Sequence, residues 1–290
     1  MTTLAQVATS FDRILVPTDF SDASNQALEY AKGIAKKYDS RLFLVHVSEP
    51  INMVTPPEAA WIDEEGIEQR LEHRLDQAGS ELRSQGYWAE AFSMTGAIRN
   101  EVLSFINENK VDLIVLGTHS RTGFERFLLG SDAEAILRKV KCPVLLVGPK
   151  VKDDPNPVWN PKTVICATTL DPESAWIAAF AYQIAKLNHA EFTLLNVEGP
   201  TDKHAYRDWN AFEKSFKESA PDVAFLGKSL RTLVSDCAPG MAIADIAEDR
   251  NADLIVMGAH PAPARVAHFA AGTVPQVAAE APCPVMTLHK

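Results

Sequence analysis

The chain lacks several features that would assign it to well-defined classes of protein. No apolar run approaches the ~20 residues that cross a bilayer, which argues against a transmembrane protein. Residues 1–10 do not combine a basic stretch with an apolar one, so we expect no secretory signal. Acidic residues outnumber basic ones by 38 to 28, and the net charge of −10 disfavours a nucleic-acid partner or an anionic membrane.

Cysteine is also scarce, with four residues in 290. No two of them form a C-x-x-C pair, which argues against a zinc ribbon and a thioredoxin-type motif. Cys142 and Cys283 occupy equivalent positions just before a predicted strand. We therefore expect packed, reduced thiols in a cytoplasmic protein, rather than disulfides or a metal site.

The most informative feature that is present is a long internal repeat. The segment V-D-L-I-V-L-G-T-H from Val111 returns as A-D-L-I-V-M-G-A-H from Ala252. C-P-V-L-L-V-G from Cys142 returns as C-P-V-M-T-L-H from Cys283, and both offsets are 141 residues. Nearer the N-terminus, R-I-L-V-P-T-D returns as T-V-I-C-A-T-T with an offset of 150 residues. A repeat of this length indicates a duplicated domain rather than a solenoid unit.

Each copy alternates short apolar runs with segments of helical spacing. The first copy predicts strands at 13–16, 42–47, 88–94, 111–116 and 143–147, and helices at 21–37, 63–85, 98–109 and 131–140. Near-continuous apolar strands are typical of a buried parallel sheet. We predict two tandem, doubly wound α/β domains of Rossmann-like type, each an open, mostly parallel five-stranded sheet with helices on both faces.

The predicted boundaries follow from composition. Domain 1 spans 1–150 and domain 2 spans 163–290, and the proline-rich, charged stretch 151–162 is the predicted linker. Another proline-rich stretch, 50–58, is predicted to be a surface loop after the second strand.

In an open parallel sheet, ligands bind at the carboxyl ends of the central strands, where the winding direction reverses. The first copy places Pro17, Thr18 and Asp19 at one such end. An aspartate there can accept hydrogen bonds from a ribose hydroxyl or a base amine.

A second candidate strand end follows Leu116. It comprises four consecutive residues, namely Gly117, Thr118, His119 and Ser120. A glycine at this point allows a sharp turn and a close approach of the backbone to a ligand. Further on, Gly130 and Ser131 begin a predicted helix and would offer backbone N–H groups and a hydroxyl to an anion such as phosphate. Such a pair taken alone is more often only a helix cap.

These residues together resemble the universal stress protein family in its tandem two-domain form. The resemblance covers nearly the whole chain and is strongest in V-P-T-D-F-S-D-A-S from Val16, L-V-H-V from Leu44, and G-T-H-S-R-T-G-F-E-R-F-L-L-G-S from Gly117. ATP-binding members of this family carry Gly, two residues, Gly, nine residues, Gly, and then Ser or Thr. The resemblance therefore implies a stress-response protein that binds ATP or another adenine nucleotide, ADP or AMP, with or without Mg²⁺.

The resemblance also implies roles for individual residues. Asp19 and the backbone of Val47 would hold the base and ribose, Pro17 would shape the turn, and His119 would support the glycine loop. The phosphates would be held by Gly117, Gly130 and Ser131.

Two departures from the family pattern fall at the phosphate end. Ser120 replaces the second motif glycine, and a left-handed backbone there would cost a residue with a Cβ roughly 1–2 kcal/mol. Asp132 follows Ser131 directly, and its charge would compete with a triphosphate, although an acid also stabilises the first turn of a helix. We hypothesise that domain 1 favours adenine nucleotides with fewer phosphates than ATP.

The second copy departs further from the pattern. Thr169 stands where Asp19 stood, and Pro261 replaces the second glycine, with a fixed φ and no backbone donor. We expect this copy to have lost nucleotide binding and to complete a tandem pair. In the family, domains associate through the last strand, here 143–147 and 284–288, which would hide two sheet edges. A further homodimer remains open.

Three functional classes remain in competition. A binding protein with little or no turnover is the leading interpretation. The chain lacks a P-loop, a Ser-Gly-Gly loop after the first strand, and a His-x-Gly-His motif, which disfavours an ATPase or a nucleotidyl transferase. His46 and His119 are the only candidates for proton transfer near the predicted pocket, so slow ATP hydrolysis stays open. The third class is a nucleotide-independent interaction scaffold.

Overall fold

The computed structural model describes residues 10–49, 64–118, 131–152, 157–198, 209–221, 230–234, 237–259 and 272–289. The predicted loop 50–58 lies outside these ranges. The described residues form ten strands and eight α-helices, with one 3₁₀ turn at Pro172–Ser174 before the fifth helix.

The elements of both halves follow the predicted alternation. The first half contains β1 (Arg13–Pro17), α1 (Asp22–Tyr38), β2 (Arg41–Ser48), α2 (Glu64–Ser84), β3 (Trp88–Thr95), α3 (Ile98–Asn109), β4 (Leu113–Gly117), α4 (Ser131–Leu137) and β5 (Val144–Val147). The second half contains β6 (Thr163–Ala167), α5 (Ala175–Leu187), β7 (Glu191–Glu198), α6 (Trp209–Ser219), β8 (Leu230–Val234), α7 (Pro239–Asp249), β9 (Leu254–Gly258), α8 (Thr273–Glu280) and β10 (Val285–Leu288).

All ten strands belong to one sheet, in the order β3-β2-β1-β4-β5-β10-β9-β6-β7-β8. Pairing is parallel within each half, whereas β5 and β10 pair antiparallel, with Leu145 opposite Met286. Each half thus has the strand order 3-2-1-4-5 of a doubly wound sheet, which confirms the predicted fold class.

Alternate residues of each central strand supply two separate hydrophobic cores. In β1, Ile14 and Val16 pack on one face with α1, α2, α5 and α6, and Leu15 packs on the other with α3, α4, α7 and α8. Each core contains residues from both halves, so the duplicated units share two continuous layers of helices around one sheet.

The β5–β10 junction brings the two halves into close contact. Gly148 comes directly after β5 and lies against α8, so closely that a Cβ on it would be 1.9 Å from the carbonyl oxygen of Ala278. The ammonium of Lys150 pairs with Glu280 at the end of α8, at 2.5 Å. The junction covers one edge strand of each half, so unpaired backbone groups remain only along β3 and β8 among the described strands.

The aspartate of the repeated D-L-I-V motif has a structural role in both halves. Asp112 accepts hydrogen bonds from the backbone N–H groups of Asp12 and Arg13, at 2.9 and 3.0 Å, and thereby fixes the start of β1. Asp253 accepts from Lys162 and Thr163 in the same way, at 2.7 and 2.9 Å. Burial raises the pKa of the Asp112 carboxyl, and these N–H donors oppose the shift.

Candidate functional site

The topology creates a crevice at the carboxyl ends of β1 and β4. These strands are neighbours, and the chain winds outward from them in opposite directions, toward β2 and β3 on one side and β5 on the other. Pro17 ends β1 and Gly117 ends β4, so the two predicted strand ends lie side by side. A doubly wound sheet binds ligands in this position.

The turn after β1 is held by the buried Thr18. Its backbone N–H donates to the carbonyl oxygen of Val45 in β2, at 2.8 Å. Its hydroxyl lies 3.2 Å from that of Ser24 in α1 and accepts from the backbone N–H of Phe20, at 3.0 Å. Thr18 therefore joins the end of the sheet to the start of α1.

Asp19 is exposed at this edge, and its carboxylate has a defined orientation. Its Oδ1 accepts from the backbone N–H and the hydroxyl of Ser21, at 3.0 and 2.5 Å. Ser21 is also the N-cap of α1 and accepts from the backbone N–H of Ser24, at 3.3 Å. The carboxylate therefore lies beside the positive end of a 17-residue helix.

Phe20 closes the turn in a left-handed conformation, with φ of 61°. The guanidinium of Arg74 in α2 stacks over its ring at 4.5 Å and donates to its carbonyl oxygen at 3.4 Å. The imidazole of His46 lies 5.4 Å from the same ring. One wall of the crevice thus combines an aromatic ring, a cation and an imidazole.

His46 is tied to the turn through its Nδ1, which lies 2.7 Å from the carbonyl oxygen of Thr18. A carbonyl oxygen only accepts, so Nδ1 carries the proton in this contact. The geometry favours a histidine that positions the turn over one that acts as a base from this nitrogen.

The residues at the end of β4 face mainly into the protein. The Leu116 side chain belongs to the core, and the buried Thr118 donates to the carbonyl oxygen of Val147 through its N–H, at 2.9 Å, and its hydroxyl, at 3.3 Å. A Cβ on Gly117 would lie 2.0 Å from the carbonyl oxygen of Ala23. Gly117 is therefore needed for the contact between β4 and α1, whatever it offers a ligand.

The remaining predicted site residues are described only in part. Val47 is half-buried near the end of β2 and packs on the core beside α3, with Met94 of β3 opposite. The described ranges do not include His119, Ser120 and Gly130. Ser131 and Asp132 begin α4, but their side chains lie outside the described part. The roles assigned to these five residues in the glycine loop stay predictions.

Sequence reasoning missed Ser24, Phe20 and Arg74 as parts of this site. Ser24 could have been found, because the Thr-to-Ser spacing from 18 to 24 recurs from 168 to 174. Arg74 gave no such signal, since only the packing of α2 brings it over Phe20.

The second half repeats the turn but not its carboxylate. The hydroxyls of Thr168 and Ser174 lie 2.9 Å apart, and Leu170 has φ of 61°, as Phe20 does. Thr169 occupies the position of Asp19. The fold thus retains this turn with or without an acidic group.

The cysteines divide into two groups. Burial raises the pKa of Cys142 and of Cys283 to about 12, and also raises the pKa of Cys166. Cys237, in contrast, is exposed, so the expectation of a packed thiol is wrong at this position. It lies just before α7, outside both cores. None of the four forms a disulfide.

The described residues contain neither a helix that could span a membrane nor a cluster of metal-ligating side chains. None of their helices combines the length and apolar character needed to span a membrane. Within the same ranges, no three His, Cys, Asp or Glu side chains converge in the manner of a metal centre.

Comparison with known sequences identifies the family. The sequence model of the universal stress protein family matches residues 10–148 and again residues 160–289. The chain therefore belongs to the universal stress protein family, as a tandem of two units. This membership places it among proteins that are in general not enzymes and have at most weak ATPase activity.

Individual relatives agree with this membership. Universal stress protein MJ0531 of Methanocaldococcus jannaschii is 34% identical over 139 residues, covering 47% of this chain and 82% of the relative. A universal stress protein of Thermus aquaticus is 32% identical over 149 residues, covering 47% of this chain and 98% of the relative. The crystal structure of a universal stress protein from Archaeoglobus fulgidus superposes with a TM-score of 0.73 at 21% identity, covering 98% of both chains, and supports the tandem fold.

Proposed function

We propose that the first half binds an adenine nucleotide, ATP, ADP or AMP, in the crevice between β1 and β4. The observation that carries this proposal is the carboxylate of Asp19. It is exposed at the switch point of the sheet and oriented by Ser21. A carboxylate in this position suits the ribose hydroxyls or the base amine of a nucleoside.

The neighbouring groups fit the same ligand. The backbone of Val47, near the end of β2, would contact the base or ribose. Leu116 and Thr118 have buried side chains, so their contribution would come from the backbone. Pro17 and Thr18 would hold the turn that presents Asp19.

The phosphate end is assigned to the loop from Gly117 to Ser131. Ser120 in place of glycine and the charge of Asp132 both weaken this end toward a triphosphate. We therefore expect AMP or ADP to bind more tightly than ATP. His119 would support the loop, and the proposal includes no chemical step, because the described His46 nitrogen is engaged with the Thr18 carbonyl.

The second half is proposed to serve the tandem rather than to bind a second nucleotide. It keeps the turn at Thr168 but has Thr169 where a carboxylate is needed. Its strand β10 pairs with β5, which is the next strand after the proposed phosphate loop and α4.

The test begins with small molecules released from the purified, denatured protein and measured by mass spectrometry. Wild type is expected to carry adenine nucleotide, and Asp19→Ala to lose it. Asp76→Ala is the matched control, because Asp76 is also exposed but lies on the surface of α2. Calorimetry at fixed salt then compares AMP, ADP and ATP.

One result would contradict the proposed site, and another would contradict only the proposed preference for fewer phosphates. An empty wild-type protein that shows no thermal shift with millimolar nucleotide would support a nucleotide-independent scaffold instead. Equal affinities for AMP and ATP would retain the site but remove the preference for fewer phosphates.

A further inference from the structure

A second cavity lies on the far side of α1, toward the opposite end of the sheet from the crevice. Its volume is about 580 Å³, within the range of small-molecule sites. One wall is the C-terminal part of α1, and the other is formed by residues 157–160, which connect the two halves. Tyr87, just before β3, also lines it.

The cavity is cationic although the chain as a whole is acidic. Lys32, Lys36 and Lys37 line it, and among the described lining residues the single carboxylate is that of Glu29, which pairs with Lys32 at 2.7 Å. Among the described residues, neither Lys36 nor Lys37 forms an ion pair. Lysines in the last turn of a helix also complement its dipole, but this accounts for neither Lys32 nor the cavity wall.

Lys37 lies near a further cation, Lys162, which is outside the lining of the cavity. Lys37 donates to the side-chain oxygen of Asn188, and the ammonium of Lys162 lies 3.4 Å from the carbonyl oxygen of the same residue. Burial lowers the pKa of Lys37, and the charge of Lys162 lowers it further. Two ammonium groups thus lie close together with no carboxylate compensating Lys37 in the described part of the chain.

The rest of the lining is mainly apolar, with Asn160 as its polar member. Trp159 is only 6% exposed and belongs to the core, whereas Val158 is 82% exposed at the rim. The connecting segment can approach α1 only because residue 33 is glycine, since a Cβ there would lie 2.1 Å from the carbonyl oxygen of Pro157.

The second half repeats only part of the set of residues that α1 contributes to this cavity. At the offset of 150 residues, Lys32, Gly33 and Lys37 become Tyr182, Gln183 and Leu187, whereas Lys36 corresponds to Lys186. Tyr182 packs against Phe192 in the core instead of lining a cavity. The fold therefore does not require Lys32, Gly33 or Lys37, whereas the position of Lys36 is a lysine in both halves.

We propose that the cavity between α1 and residues 157–160 binds a small organic phosphate with an apolar body. Lys36 and Lys37 hold its negative group, and Tyr87, Val158 and Trp159 contact the body. Lysine binds phosphate as a point charge, and an anion in the cavity would oppose the repulsion that Lys37 feels from the nearby Lys162. This site is separate from the nucleotide crevice and does not depend on it.

Calorimetry with 1-naphthyl phosphate tests the proposal, with 1-naphthol and inorganic phosphate as partial ligands. Wild type is expected to bind the ester more tightly than either part. The double variant Lys36→Gln/Lys37→Gln is expected to weaken binding at least about tenfold, since it removes two positively charged hydrogen-bond donors to the phosphate. The matched control is Lys139→Gln/Lys141→Gln, which removes two exposed lysines elsewhere in the first half.

Val158 provides a second pair of variants that leaves the core intact. Val158→Lys is expected to tighten binding and Val158→Glu to weaken it, and added salt should reduce both differences. The amount of nucleotide released from the Lys36→Gln/Lys37→Gln protein should equal the amount released from wild type. Loss of binding at this cavity can therefore be distinguished from loss of binding at the nucleotide crevice. Any of three results would overturn the proposal. These are a wild type that does not bind the ester at millimolar concentration, a wild type that binds 1-naphthol as tightly as the ester, and a lysine variant that binds the ester as tightly as its control does.

Discussion

Replacing Gly117 by alanine tests whether the end of β4 is shaped by packing. The new Cβ would lie 2.0 Å from the carbonyl oxygen of Ala23, 2.3 Å from its carbonyl carbon and 2.9 Å from the backbone nitrogen of Ser24. Real Cβ contacts do not fall below 3.0 Å, so the start of α1 must move by about 1 Å relative to β4.

The expected cost can be estimated from this displacement. Overpacking a well-packed core costs ~1–3 kcal/mol, and the obstruction here is main chain, which cannot rotate away as a side chain can. We therefore expect a loss near the upper end, about 3 kcal/mol in the free energy of unfolding. Because Ser24 and Ser21 begin α1 and Ser21 orients Asp19, nucleotide affinity should fall as well.

Urea denaturation of the nucleotide-free protein measures the first effect and calorimetry the second. Gly272→Ala is the matched control, because among the described residues a Cβ there meets only a side-chain carbon of Pro275, at 3.8 Å. If the two alanine variants unfold with free energies within about 0.5 kcal/mol of each other, the close approach of β4 to α1 is not a constraint. A Gly117→Ala protein that is fully stable yet loses nucleotide would instead assign the glycine to the ligand.

Three further outcomes are expected. In the native protein at pH 8, DTNB should react rapidly with Cys237 alone, because burial raises the pKa of the other three thiols. In guanidinium all four thiols should react. Rapid release of more than one equivalent of thionitrobenzoate from the native protein would contradict the burial of the three. Asp112→Ala should lower the free energy of unfolding by about 1–2 kcal/mol, because it removes the acceptor of two backbone N–H groups. Asp76→Ala, the control, should be near neutral. Equal stability of the two variants in urea would refute the role of Asp112 in holding the start of β1. Thr169→Asp should leave the released nucleotide at the wild-type amount, because Pro261 still replaces a loop glycine; a doubled yield would show that the second half lacked only the carboxylate.

The helices and strands could be predicted from the sequence because the pattern of apolar residues in each one reflects which of its faces are buried. Strand β4 reads as a continuous apolar run since both of its faces are covered, and α3 was predicted with the bounds that the structure gives it. Differences were confined to ends, as at α4, which stops at Leu137 instead of continuing to Val140. Predicting the fold required only the period of the pattern and the order of the elements.

The contacts that shape the candidate site were harder to predict. A glycine after a buried strand suggests a flexible turn, whereas Gly117 is required by its proximity to Ala23, a residue far away in sequence. Arg74 over Phe20 likewise depends on how α2 crosses the sheet. The position of Asp19 was predictable, because strand ends in this topology converge, but its hydrogen bonds to Ser21 depend on the turn geometry.

Duplication separates what the fold needs from what a ligand would need. Both halves keep the threonine and serine pair, the left-handed residue between them in sequence and the aspartate before the fourth strand, so these features serve the fold. Asp19 is present in one half only, although the turn that carries it is the same in both. The fold does not require this carboxylate, and Ser21 holds it in a defined orientation at the surface; these two facts are the grounds on which we propose a ligand there. The same reasoning applies to Lys37, which its equivalent position in the second half replaces by leucine.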